Sequence, residues 1–248
     1  MAIIVVGGSN RGVGKTALVC GLIAGLSDYR WTAVKITTHS HTQPVSSSKE
    51  NIAENPGSEA SHSLRMPFFR QIFEKRSGET AGELEAAQVN SSIWEETIAG
   101  EETDTARYLA AGAARALLVS APDGELAKPL NQFWPRFGRG TNFIFESNSV
   151  VHHVRADVCL LIHGIAPRAL PLPERKPSFI AAVRYADAMV SHASADEVIP
   201  EGLRLAVAES EVEQAPVPKP IFHLRALERI SPELLAWLRH RLPPPQRF

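Results

Sequence analysis

Cysteine is scarce in this chain: 248 residues carry two, Cys20 and Cys159. Each sits in an apolar run, Ala17-Leu18-Val19-Cys20 and Val158-Cys159-Leu160-Leu161, and neither has a partner at metal-ligand spacing. That argues against a zinc site, and both are expected to be small buried apolar groups in a reducing compartment. Long apolar runs are missing as well. Spanning a bilayer takes roughly 20 apolar residues, and no stretch approaches that. The opening run, residues 2–6, is too short for the core of a secretory signal and ends in Gly7-Gly8. A cytoplasmic protein without membrane contact is expected. Charge of one sign is not in excess either, since 26 Lys and Arg face 27 Asp and Glu for a formal net charge of -1. Nothing in that balance pulls the chain broadly towards nucleic acid or anionic lipid. No internal repeat is visible.

What remains is ordinary globular material, 44% hydrophobic and 21% charged. Its length suits a single α/β domain over residues 1–248, with a flexible insertion at about 42–100. Residues 2–6 are a β-branched run of the kind that fills a buried parallel strand, residues 15–26 suit a helix, and residues 32–37 a second strand. Together they make one βαβ unit. The alternation then breaks. Residues 42–63 are rich in Ser, Glu, Asn and Pro, and are expected to be mobile unless a ligand or partner orders them. Residues 64–73 are more apolar, and 81–98 suit a short helix or an edge strand. Alternation resumes with a helix at 105–113, a strand at 116–120 and a helix at 125–133. Strands follow at 141–146, 157–162 and 186–191, with shorter ones at 205–208 and 220–224. Ser231-Pro232-Glu233 opens a last helix, with Ser231 as N-cap and Pro232 at the first helical position. Strands alternating with helices imply a mostly parallel sheet covered on both faces.

The densest signal lies between the first strand and its helix: Gly7-Gly8-Ser9-Asn10-Arg11-Gly12-Val13-Gly14-Lys15-Thr16. A phosphate-cradling loop has a glycine, four residues, then Gly-Lys-Ser/Thr. Here Ser9 fills the first glycine position and Gly8 precedes it, while Gly12 and Gly14 let the backbone wrap closely around phosphate oxygens. Residues Gly8, Ser9, Asn10, Arg11, Gly12, Val13, Gly14, Lys15 and Thr16 are therefore the candidate nucleotide-binding set. Amides at the helix start point at the anion and the helix dipole adds to the attraction. Lys15 can reach the β- and γ-phosphates, and the Thr16 hydroxyl can coordinate Mg²⁺. Such loops sometimes serve packing alone, but a strand before, Gly-Lys-Thr at the close and an apolar helix after favour a nucleoside triphosphate, GTP or ATP. The fold class expected is the three-layer α/β fold of P-loop NTPases.

With these motifs in place, the chain resembles the molybdopterin-guanine dinucleotide biosynthesis protein B family of small GTP-binding P-loop proteins. Members carry the phosphate loop, then a second strand ending in a Lys-rich, His-containing turn, here Val34-Lys35-Ile36-Thr37-Thr38-His39-Ser40-His41. They also carry an Asp-(Thr/Ser)-x-Arg segment leading into Ala-Gly-Ala, here Asp104-Thr105-Ala106-Arg107-Tyr108-Leu109-Ala110-Ala111-Gly112-Ala113, then a strand and Ser120-Ala121-Pro122. The chain departs from the family where Phe145-Glu146-Ser147-Asn148-Ser149 stands in place of the usual Val-Glu-Gly. No Asn-Lys-x-Asp guanine-reading segment is present, the corresponding strand end being Val190-Ser191-His192-Ala193. The resemblance covers about two-thirds of the chain.

Further candidates follow from position. Glu146 ends a strand, where a carboxylate holds Mg²⁺ or orients attacking water; the competing role is local capping of the next turn. Asp104 precedes a predicted helix, so N-capping competes with the place beside phosphate and metal that the resemblance implies. Lys15, Glu146 and Asp104 are the candidate catalytic residues, and Thr16, Glu146 and Asp104 the candidate Mg²⁺ ligands. Arg107 can reach a substrate phosphate or serve as a solvated helix charge. His39 and His41, two apart on extended chain, can face one ligand, although turn or surface roles are commoner and a third metal ligand is not evident. His152 and His153 point apart in a predicted strand and read as structural, and Trp94, Trp134 and Trp237 as packing anchors.

Three functions fit. The resemblance implies an accessory GTPase of molybdenum cofactor maturation, binding Mg²⁺ and GTP or ATP beside a nucleotidyltransferase that acts on molybdopterin. The second is a small-molecule kinase or ATP-dependent ligase resembling dethiobiotin synthetase, whose substrate-activating second-strand lysine falls at Lys35. The third is a nucleotide-gated adaptor without turnover. A homodimer is compatible with each.

Overall fold

The computed structural model describes residues 1–39, 69–71, 92–122, 124–164, 177–192 and 219–245. Its strands are β1 (Ile3–Gly8), β2 (Thr32–His39), β3 (Phe69–Gln71), β4 (Ser92–Glu96), β5 (Arg115–Pro122), β6 (Phe143–Glu146), β7 (Val158–Gly164), β8 (Ala188–His192) and β9 (Ile221–His223). Its α-helices are α1 (Lys15–Gly25), α2 (Asp104–Ala110), α3 (Ala127–Phe137), α4 (Pro177–Val183) and α5 (Pro232–Arg241). The strands form one sheet in the order β3-β4-β5-β2-β6-β1-β7-β8-β9. From β5 to β9 every pairing is parallel, whereas β4 runs antiparallel to β5 and to β3.

A strand buried on both faces needs apolar residues at every position, and β1 supplies Ile3, Ile4, Val5 and Val6. Because side chains alternate, Ile4 and Val6 join one core with Leu18, Leu22, Tyr108 and Leu234. Ile3 and Val5 join the opposite core with Phe133, Phe143, Phe145 and Phe179. Helices α1, α2 and α5 thus cover one face, and α3 and α4 the other. This is the expected three-layer α/β fold with a mostly parallel sheet. Among the described residues no helix is long and apolar enough to cross a membrane.

Several elements differ from expectation for identifiable reasons. β1 continues through Gly7 and Gly8, because pairing with β7 runs on to Gly8 opposite Ile162. Of the two possibilities for residues 81–98, a strand forms at Ser92–Glu96, and β3 rather than β4 takes the sheet edge. α3 runs on to Phe137 despite Pro135, since Leu126, Leu130, Phe133 and Phe137 recur on one buried stripe. His152 lies in a 3-10 turn, Ser149–His152, not in a strand. The Ser147 hydroxyl accepts the amides of Ser149 and Val150 at 3.0 and 3.2 Å and bends the chain there. The last helix begins as read: the Ser231 hydroxyl accepts the Leu234 amide at 3.3 Å and Pro232 follows. The stretch 42–63, His41 and the strand expected at 205–208 lie outside the described residues.

Phe133 is the hub of the second core, fully buried with ring centroids of Phe137, Phe143 and Phe145 at 5.0, 5.4 and 5.9 Å. Trp134 packs edge-on against Phe143 at 5.5 Å, a packing role as expected. Phe133→Ala should therefore cost about 3–5 kcal/mol in urea unfolding. A loss under about 1 kcal/mol would mean that the cavity collapses freely and the aromatic cluster is not the rigid layer described.

Candidate functional site

The strand–loop–helix unit is shaped by its glycines. A Cβ on Gly8 would lie 2.7 Å from Val13 Cγ1 and 2.8 Å from Ile162 Cγ2, so only glycine lets the loop close onto the sheet. Gly14 caps α1 in the left-handed region at φ 98°, and a Cβ there would meet Leu227 Cδ1 at 2.2 Å. Gly12 is also left-handed at φ 75°. Ser9, which fills the usual glycine position, is buried and donates its amide to the Ile162 carbonyl at 3.1 Å. Asn148 fixes the start of the loop from the turn after β6. Its Oδ1 accepts the Gly8 amide at 2.7 Å and its Nδ2 donates to the Gly8 carbonyl at 3.0 Å. The result is a rigid turn opening directly into a helix N-terminus, whose first-turn amides have no acceptor within the helix. Lys15 Nζ donates to the Asn10 carbonyl at 2.9 Å, so the ammonium lies across its own loop.

Beside the loop, four elements bring polar side chains together. Thr16, in the first turn of α1, places Oγ1 2.9 Å from Asp104 Oδ1 and 2.9 Å from Glu146 Oε2. Lys35, midway along β2, sets its Nζ 2.9 Å from Asp104 Oδ2 and also donates to Glu146 Oε1. Tyr108, in α2, donates its hydroxyl to Glu146 Oε2. Glu146 is 2 % exposed, and Thr16, Lys35 and Tyr108 surround its two oxygens in place of water. The sheet places the pieces: Glu146 ends β6, between β1 and β2, in register with Val6 on one side and Lys35 on the other.

Both capping alternatives go elsewhere. The Thr103 hydroxyl accepts the Ala106 amide at 3.0 Å and caps α2, leaving Asp104 free to face Thr16 and Lys35. Ser147, not Glu146, takes the amides of the next turn. Asp104 is held in place by Glu96 at the end of β4. Oε1 of Glu96 accepts the amides of Thr97 and Ile98, and its Oε2 accepts the hydroxyls of Thr103 and Thr105 on either side of Asp104 at 3.1 and 3.3 Å.

The electrostatics follow from this crowding. Burial opposes ionisation of Asp104, but hydrogen bonds from Lys35 and Thr16, with the Lys35 and Arg107 charges, hold its carboxyl below the usual range. Burial likewise opposes the Lys35 ammonium, and Glu146 and Asp104 outweigh it and push its pKa up. Tyr108 is pushed well above an ordinary phenol, first by burial and then by the Glu146 charge, so it stays a hydrogen-bond donor at neutral pH. Burial also raises the thiols of Cys20 to about 11 and Cys159 to about 12, which makes both inert packing groups.

The oxygen set fits Mg²⁺. An octahedron with metal–oxygen bonds of about 2.1 Å places adjacent ligands about 3 Å apart, and Thr16 Oγ1 stands 2.9 Å from each carboxylate oxygen. Among the described residues no three His, Cys, Asp or Glu side chains gather as a metal-ligand set; here a hydroxyl completes two carboxylates. His39 closes β2, and His41 lies outside the described residues. His152 packs its ring edge-on against Tyr185 at 5.3 Å, a structural role. Position alone did not single out Tyr108, Asn148 or Glu96. Tyr108 carries a usable signal, since it lies four residues after Asp104 and so on the same helix face.

A stability profile against pH tests the Asp104 pairing. Because its folded pKa is lowered, the stabilisation is complete above its ordinary value of 3.8 and is lost as pH falls through the folded value. Urea midpoints of Asp104→Asn should lie below wild type near neutral pH, and the gap should close as pH falls below 3.8. A gap of constant size down to acid would show that the carboxylate charge does not contribute.

Comparisons with known proteins add little to this geometry. No family model matches the chain, and no curated protein matches its sequence. Among solved structures the chain is similar to LpxK from Aquifex aeolicus, described as its "apo" form in complex with ATP, with 16% identity and a TM-score of 0.43. The match covers 90% of this chain and 53% of that one, so the chain spans about half the length of that protein.

Proposed function

We propose that the chain binds a nucleoside triphosphate with Mg²⁺ on the loop from Gly8 to Thr16 and cleaves or transfers its terminal phosphoryl group. One observation carries this: the Thr16 hydroxyl, directly after the loop lysine, lies 2.9 Å from two carboxylates delivered by separate elements. The loop glycines and the α1 N-terminus would bind the phosphates. Lys15 would leave the Asn10 carbonyl for the β- and γ-phosphate oxygens, an exchange of a neutral acceptor for a charged one. Thr16, Asp104 and Glu146 would hold Mg²⁺, which when bound supplies charge neutralisation to the phosphates. Glu146, fixed on three sides, is the group best placed to hold or orient attacking water.

The finer assignment rests on the motif order. The loop, the Lys35–His41 turn and the Asp104–Ala113 segment support an accessory GTPase of molybdenum cofactor maturation, working beside a nucleotidyltransferase on molybdopterin. On this assignment residues 1–248 form one nucleotide-binding domain, with residues 42–63 and the turn at His39 and His41 as its partner- or ligand-facing surface. A second assignment is favoured by Lys35, whose ammonium lies in the carboxylate cluster beside Thr16. A lysine there suits phosphoryl transfer to a small acceptor, as in a kinase or ligase resembling dethiobiotin synthetase.

Thermal unfolding with GTP, ATP and Mg²⁺ tests the shared claim. A ligand at about 100 times its Kd adds about 2.7 kcal/mol, enough for a clear rise in Tm. Lys15→Ala should abolish that rise, and an unchanged rise would overturn the phosphate-loop assignment. Equal responses to GTP and ATP would remove the guanine preference. For Glu146→Gln we expect retained nucleotide binding and turnover reduced by about 100-fold or more. Undiminished phosphate release would reassign Glu146 to folding alone. Release of inorganic phosphate without a phosphorylated acceptor favours the GTPase, and an acceptor-dependent product favours the kinase.

A further inference from the structure

We propose that Lys35 makes Mg²⁺ binding conditional on bound nucleotide, by neutralising the two carboxylates that would otherwise draw the cation on their own. The inference rests on Thr16, Asp104 and Glu146 being the metal ligands, and it assigns Lys35 a task that those ligands do not perform.

The division of oxygens carries it. Each carboxylate has two, and they are shared out in parallel: Asp104 Oδ1 and Glu146 Oε2 meet the Thr16 hydroxyl, while Asp104 Oδ2 and Glu146 Oε1 meet Lys35 Nζ. One hydroxyl therefore bridges the carboxylates on one side and one ammonium bridges them on the other. The sheet enforces the second bridge, because Lys35 and Glu146 are register partners on the adjacent parallel strands β2 and β6. The register keeps the Cα atoms of Lys35 and Glu146 opposite one another, with both side chains on the same face of the sheet.

Charge then decides the order of binding. Two carboxylates alone present two negative charges to a hydroxyl oxygen, a hard-cation site that needs no nucleotide. With the Lys35 ammonium the cluster carries one net negative charge, and an entering divalent cation meets a fixed positive group across the same carboxylates. A nucleoside triphosphate brings further negative oxygens to the loop side, so cation and nucleotide together restore a balanced site. An opposite charge within about 4–6 Å shifts an ionic equilibrium by roughly one to three powers of ten, which sets the size of the effect. The consequence is functional: Mg²⁺ arrives with its nucleotide and does not sit in the carboxylate pair beforehand.

The experiment uses the full chain and MgCl₂ alone, with no nucleotide, in calorimetric titration and thermal unfolding. Wild type and Lys35→Arg, which keeps the charge, should show no Mg²⁺ response at about 1 mM. Lys35→Met should bind Mg²⁺ at least about tenfold more tightly and gain a Mg²⁺-dependent rise in Tm. A Lys35→Met protein that ignores Mg²⁺, or a wild type that responds as strongly, overturns the proposal. Where Lys35→Met is too unstable to purify, refolding yield with and without Mg²⁺ reads the same coupling: rescue by the cation sustains it, and equal yields refute it. Because nucleotide is absent throughout, failure here is separate from failure of the phosphate loop, which the Lys15→Ala thermal shift reports.

Discussion

A carboxylate that is 2 % exposed is the constraint around which this site is built. Burial has stripped Glu146 of water there, and its two oxygens meet polar groups from three other elements: Thr16 of α1, Lys35 of β2 and Tyr108 of α2. Taking one partner from such a buried group leaves a polar atom unsatisfied and typically costs about 1–3 kcal/mol. The same arrangement therefore ties helices on one face of the sheet to strands within it. Packing and chemistry make one demand here, because the residues that hold the layers together are those that would meet a metal.

The loop depends on a second, quieter clamp. Gly8 is bound through both its amide and its carbonyl to the Asn148 side chain, two residues after Glu146. The turn after β6 thus supports the Gly8–Thr16 loop with Asn148 and presents a carboxylate to Thr16 with Glu146. Ser147 between them tightens that turn by accepting two amides. The polar residues of Glu146-Ser147-Asn148-Ser149 thus have structural work that a glycine could not do.

Legibility in the sequence follows locality. β1, the loop, α1 and β2 could be read because each is marked within a few residues: a β-branched run, glycines, Gly-Lys-Thr, an apolar helix. Asp104 and Glu146 could be read as candidates, yet their alternatives stayed open, since a carboxylate beside a turn looks the same whether it caps or ligates. In three dimensions the caps belong to Thr103 and Ser147. Tyr108 was hidden because a tyrosine between Ala106 and Leu109 reads as core, which it also is. β4 was ambiguous because its five residues have no periodicity strong enough to exclude a helix, and its strand form depends on pairing with residues of β5 twenty or more positions on.

That antiparallel strand also bears on the site. β4 ends at Glu96, a buried carboxylate whose four acceptor contacts run to the chain just beyond it and to the threonines flanking Asp104. Asp104 therefore owes its position less to its own helix, seven residues long, than to a strand that closes the long stretch between β2 and α2. An isolated helix of that length would fray in water. Held by Glu96 at its start and by Tyr108 at its middle, it presents two side chains one turn apart to a single carboxylate and hydroxyl. The sheet edge that looks least like the parallel core is thus what makes the second carboxylate of the site dependable.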